Sequence, residues 1–169
     1  MLNQAVQDAL NKQINIELSS SYKYLAMSAY CELRNFVGCA NWLKIQSQEE
    51  HEHAMKLYDF LIARGCEVKL DAIPTPCGDF ESIPAVFHAS LEQEQKVSES
   101  INDLYQLAHE NKAFAALVEL QWFITEQVEE EKTAREVVMK FDMVKDDPSA
   151  MLDLDREMGE RKPEEDGEN

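Results

Sequence analysis

Four stretches of the chain carry apolar residues three and four positions apart, and near its middle each stripe is broken by a residue of metal-ligand type. The stripes run over residues 3–34, 39–64, 83–110 and 113–142. Such spacing is the mark of a helix that buries one face. The first seam reads Leu10, Ile14, Glu17, Ser21, Tyr24 and Ser28. The second reads Cys39, Leu43, Gln46, Glu50, His53, Leu57 and Phe60. The third reads Phe87, Leu91, Glu94, Val97 or Ser98, and Ile101. The fourth reads Leu117, Leu120, Ile124, Gln127, then Glu130 or Glu131, Ala134, Val138 and Phe141. Only five glycines and five prolines occur in 169 residues, and helix formers dominate the remainder. The predicted fold class is all-α, a four-helix bundle.

Connection lengths fix the predicted topology. The first and second helices are joined by a few residues near 35–38, the third and fourth near Asn111, so each pair forms an antiparallel hairpin. Between the hairpins lie residues 65–81, which include Pro74, Pro76 and Gly78. A bundle helix of this size is ~45 Å long, and an extended linker of this size reaches ~55–60 Å. The linker can therefore run the length of the bundle and start the second hairpin from the far end. Gly65 is placed to end the second helix as a left-handed cap. Ser82 is placed to cap the third, with Pro84 in its first turn. A short fifth helix is expected over residues 148–158. Residues 1–161 then form one domain, and 162–169 an acidic, frayed tail.

Glu17, Glu50 with His53, Glu94, and Gln127 with Glu130 fall at one height in such a bundle. One isolated acid on a seam is most simply a misjudged face, and one histidine a hydrogen-bonded core residue. Four coincident interruptions need another explanation. Buried carboxylates are penalised by several kcal/mol each and repel one another, so they protonate or gather cations. Glu50-x-x-His53 sets two side chains on one ion. Oxygen-rich ligation with one imidazole and no thiolate suits iron or manganese better than structural zinc. The formal net charge of -17 also suits cations. It argues against nucleic acid or an anionic membrane surface as partner. The four cysteines form no C-x-x-C pair and are expected to be reduced. No stretch approaches ~20 apolar residues, and the N-terminus lacks a basic leader, so a cytoplasmic location is expected.

The segments Asn15-Ile16-Glu17-Leu18, Gln48-Glu49-Glu50-His51-Glu52-His53, Leu120-Gln121-Trp122 and Glu126-Gln127-Val128-Glu129-Glu130-Glu131-Lys132 resemble bacterial non-haem ferritins, members of the ferritin-like di-iron carboxylate family. The general di-iron bundle pattern pairs a Glu from each of two helices with Glu-x-x-His from the other two. Here the second half departs from it, with Glu94 and Gln127-x-x-Glu130. The resemblance implies that Glu17, Glu50 and His53 hold one iron. Glu50 would bridge to a second iron held by Glu94 and Glu130, with Gln127 close by. It implies a third iron site from Glu49, Glu126 and Glu129 with help from Glu130. Tyr24 would be the tyrosine beside the pair; it reads equally as a packed core residue. Trp122 resembles a tryptophan used in electron transfer, and reads equally as a packing anchor. His51 stands where bacterioferritin has its haem-binding methionine, so no haem is expected. Leu117 and Leu120 fall where animal ferritins place pore carboxylates.

The function implied is iron storage in a homo-oligomeric hollow shell of twenty-four subunits, with Fe²⁺ and O₂ (or H₂O₂) as substrates. Two ferrous ions under one bridging carboxylate can each give an electron to one O₂. The ferric product then hydrolyses to an oxy-hydroxide mineral. Two rival readings are a di-iron oxidase or peroxidase that keeps its metals, and a purely structural bundle. The first is disfavoured by the missing second Glu-x-x-His. The second leaves the polar seams without a reason.

Overall fold

The computed structural model describes residues 2–144 and 147–163. Its elements are α1 (Gln4–Glu32), α2 (Val37–Ala63), α3 (Ile83–Glu110), α4 (Phe114–Val144) and α5 (Pro148–Met158). The helix starts follow local chemistry. Asn3 accepts from the Ala5 N–H, Ser82 from the Ala85 N–H, and Asp147 from the Ser149 and Ala150 N–H groups. Gly65 takes φ 68° directly after α2. The two tight hairpin turns use Asn35 and Lys112 at φ 60° and 53°, a conformation asparagine tolerates better than most residues. α2 begins at Val37, two residues before the expected start. Gly38 and the N–H of Cys39 are thereby brought against α5.

The linker between the hairpins is held by a side-chain ladder on α1. Asn11 donates to the Glu67 carbonyl and accepts from the Lys69 N–H, at 3.0 and 2.6 Å. Asn15, one turn on, repeats the pattern with Lys69 O and Asp71 N, both at 2.8 Å. Further along α1 the Tyr30 hydroxyl donates to Phe80 O at 2.6 Å. The linker thus travels along α1 and delivers the chain to the far end, as its length predicts.

Two apolar clusters fill the bundle. One gathers Met27, Leu43, Phe87, Val138 and Phe141 with Met151, Leu154 and Met158 of α5. The other gathers Val6, Leu10, Ile14, Leu57, Leu61, Ile101 and Phe123. A polar layer from all four long helices lies between them. α5 closes one end of the bundle against α2 and α4. Its Asp155 carboxylate accepts from the Cys39 N–H at 2.8 Å, which caps α2 from outside the helix. Of the tail expected past residue 161, Lys162 and Pro163 are not helical, and 164–169 lie outside the described residues. No helix among the described residues is long and apolar enough to cross a membrane.

Candidate metal centre

The helical spacing of each seam turns its polar interruption into the bundle. Glu17, Glu50, His53, Glu94, Gln127 and Glu130 are all buried, Glu17 completely. Ligand atoms of Glu17, Glu50 and His53 lie within 4.8 Å of one another. Glu94, Glu17 and Glu130 all act on the Glu50 charge. Glu50 is therefore the electrostatic centre of the group. Tyr24 is fully buried; its hydroxyl donates to Glu94 and meets the Ser90 hydroxyl. Gln127 donates to Glu94 Oε2 at 3.3 Å.

Burial dominates the titration of these groups, because desolvation disfavours the charged form. It pushes Glu17 up to about 7. Burial and the neighbouring Glu94 push Glu130 up to about 8. Burial and adjacent carboxylates hold Glu50 well above the ordinary range, and burial raises Glu94 too. Burial and Lys56 lower His53 to about 4, so its imidazole is neutral with a lone pair to offer. Tyr24 is pushed far up by burial and the acids beside it, which keeps its hydroxyl a donor.

The donor set fits a divalent cation. Glu17 Oε2 and Glu50 Oε2 are buried with no hydrogen-bond partner among the described residues. Buried carboxylate oxygens are normally satisfied, and a shared cation would satisfy both. Around them sits a ring of amides and hydroxyls. Gln13 donates to Glu17 Oε1 at 2.8 Å. Gln46 donates to Glu130 Oε2 at 2.8 Å and to Glu50 Oε1 at 3.3 Å. Gln93 links Ser20 and Lys23. A narrow cleft of about 110 Å³ between α3 and α4, lined by Ser98, Ile101, Asn102, Ile124, Gln127 and Glu131, borders this layer at Gln127.

The other residues singled out from sequence are distributed less simply. Glu126 lies with His53 and Glu130, its ligand atom within 4.8 Å of theirs. Glu49 acts on the Glu130 charge, but its Oε2 is 2.5 Å from Nη2 of Arg161. Glu129 is exposed and is not brought into either group. Trp122 sits edge-on to His53, with ring centroids 5.3 Å apart, and carries Lys56 Nζ 4.7 Å over its face. Leu120 is fully buried in the bundle core, so it faces no outer surface. Sequence reasoning placed Gln46 on its seam without a role and missed Gln13, Gln93 and Arg161. Gln13 and Gln46 each stand one turn before an acid ligand candidate, which is a usable signal. Arg161 stands at the edge of the expected tail, where spacing carries none.

A family model described as the ferritin-like domain matches residues 7–144. A bacterial non-heme ferritin of Staphylococcus aureus (strain USA300) is 35% identical over 161 residues, covering 95% of this chain and 97% of the relative. The corresponding protein of Staphylococcus saprophyticus is 36% identical with 95% and 96% covered. Among solved structures, an open-pore ferritin from the archaeon Archaeoglobus fulgidus superposes with a TM-score of 0.94 at 40% identity, covering 96% of this chain and 99% of that one. A humanized archaeal ferritin gives 0.96 at 38% identity, with 98% and 100% covered. A match of that extent, carried by sequence and by backbone alike, makes this chain a member of the ferritin family.

Proposed function

We propose that the chain is the subunit of an iron store that oxidises Fe²⁺ with O₂ inside its bundle and deposits the product as ferric oxy-hydroxide within a homo-oligomeric shell. The observation that carries the proposal is the buried carboxylate layer with two orphaned oxygens, in a chain of the ferritin family.

Glu17, Glu50 and His53 receive one Fe²⁺. Glu50, central among the acids, is shared with a second held by Glu94 and Glu130, with Gln127 beside it. Neutral His53 needs no deprotonation at physiological pH. The protons on Glu17 and Glu130 leave as the ions enter, so loading acidifies the medium. O₂ takes one electron from each Fe²⁺, which avoids a free one-electron product. Tyr24 holds Glu94 in place by its hydrogen bond. Gln127 adds no charge, so the second position is less anionic than a carboxylate would make it. The ferric product is then released more readily. Glu126, Glu49 and Glu129, with Glu130, hold a third Fe²⁺, which gives up a further electron as it is oxidised and is then passed onward.

Stopped-flow mixing of Fe²⁺ and O₂ with the metal-free protein tests the reading. Glu50→Ala should abolish the fast phase while leaving helicity unchanged. Undiminished oxidation in that variant would remove the site from consideration. Glu126→Ala with Glu129→Ala should keep the first fast phase and change the number of Fe²⁺ oxidised per O₂.

A further inference from the structure

Arg161 lies just past α5, yet its side chain reaches the polar layer. Its Nη2 is 2.5 Å from Glu49 Oε2, and its Nη1 donates to Gln46 Oε1 at 2.9 Å. The guanidinium stacks on Trp42 at 4.3 Å. Nη1 also approaches the Trp42 carbonyl at 3.5 Å. The pair is largely sheltered, with side-chain exposures of 19% for Arg161 and 13% for Glu49. The Arg161 charge is felt as far as Glu94 and Glu130.

We propose that Arg161 is a positioning residue for the iron chemistry: a built-in cation that occupies Glu49 in place of the third Fe²⁺ and must be displaced for that ion to bind. The proposal rests on the third position of the function proposed above and says what regulates it. A guanidinium and a ferrous ion cannot share one carboxylate without repelling each other, so the two compete. A planar fork that is stacked and doubly hydrogen-bonded is a strong competitor. Arg161 also fixes Gln46. Because the amide oxygen accepts from Arg161, the amide nitrogen must face Glu130 and Glu50. Releasing Arg161 therefore frees Gln46 and loosens Glu130, the acid that the second and third positions share. The third ion is consequently held weakly, as suits one that moves on. Its arrival is reported to the end of α5.

The test is anaerobic Fe²⁺ calorimetry on the intact protein, beside hydrogen exchange at residues 159–162. In Arg161→Gln the third binding event should tighten about tenfold, the scale of one lost charge-assisted hydrogen bond. The first event, held by Glu17, Glu50 and His53, should change little, and the second, which shares Glu130, should change less than the third. Arg161→Lys, which keeps the charge but not the fork, should show a smaller gain. In Arg161→Gln with Glu49→Gln the gain should vanish relative to Glu49→Gln alone. In the unaltered protein, exchange at 159–162 should rise at the third equivalent of Fe²⁺, since the coupling is reciprocal. A third event unchanged or weakened in both Arg161→Gln and Arg161→Lys overturns the proposal, as does exchange indifferent to the third equivalent. Arg161 would then only pin α5. Wild-type-like binding of the first two ions by Glu50→Ala would instead overturn the pair itself, a separate failure.

Discussion

At the scale of single residues, the buried acids make the metal-free bundle sensitive to pH in a definite direction. Glu17 and Glu130 titrate near 7 and 8 when folded against an ordinary value of 4.5, and Glu50 and Glu94 are raised as well. The folded chain therefore holds protons that the unfolded chain has lost, and stability falls as pH rises through that window. His53 acts the opposite way. Its folded value of about 4 against 6.5 removes stability as pH falls below 6.5. Above 6.5 the carboxylates act alone. Metal-free protein should lose on the order of 1 kcal/mol per pH unit for each such proton between pH 6.5 and 8. Anaerobic Fe²⁺ should flatten the decline, because bound cations replace the protons. Thermal unfolding at fixed ionic strength measures both; a melting temperature flat or rising across that range without metal would contradict the placement of these acids. The residues behind this behaviour were legible in the sequence because each breaks an apolar seam. Their supports were not, because an amide such as Gln93 or a distant Arg161 is recruited by tertiary geometry and leaves no periodic trace.

At the scale of elements, the four long helices and their hairpins could be read from period and from connection length. The anchoring of α5 could not. Its apolar residues, Met151, Leu154 and Met158, say that it packs somewhere. Where it packs is decided by Gly38 on α2. A Cβ added there would stand 1.7 Å from the Asp155 carbonyl oxygen. Only a bare Cα lets α5 approach closely enough for the Asp155 carboxylate to cap Cys39 N. Within a helix a glycine-to-alanine change ordinarily stabilises by about 1 kcal/mol. Gly38→Ala should reverse that sign and destabilise by about 1–3 kcal/mol, the range for overpacking a closed contact. Asp155→Ala removes only the cap and should be milder, about 1 kcal/mol. Calorimetric unfolding of the two variants compares them directly. A stabilised Gly38→Ala would mean that α5 docks elsewhere. The same docking carries Arg161 to Glu49, so Gly38→Ala should also resemble Arg161→Gln in Fe²⁺ titrations.

At the scale of the whole molecule, the single chain leaves much apolar surface unexplained by its own fold. On α4 alone Phe114, Val118, Val128, Met139 and Met143 are 54–77% exposed. Tyr22 and Leu25 stand out on α1, and Leu152 on α5. Scattered exposed apolar residues are ordinary, but recurrence on the outer faces of three helices is the pattern expected where other copies pack. Against this works the net charge of -17 per chain, which opposes bringing many copies together. Salt shortens the range of that repulsion to ~10 Å at 0.1 M, and cations gathered by the acids lessen it further. A closed high-mass assembly is therefore expected at moderate ionic strength. It should be more complete with salt or Fe²⁺ than in dilute buffer. Tyr22→Glu with Leu25→Glu, which sets charge into an outer apolar face without touching the carboxylate layer, should shift the population towards small oligomers. Those oligomers should still oxidise Fe²⁺ rapidly, because the buried carboxylate layer lies inside one bundle, but should fail to keep ferric iron in solution. Light scattering and native mass measurement across ionic strength, followed by an assay of retained iron, separate these outcomes. A chain that remains a monomer or dimer at every ionic strength, with and without Fe²⁺, would refute the shell and leave an oxidase that stores nothing.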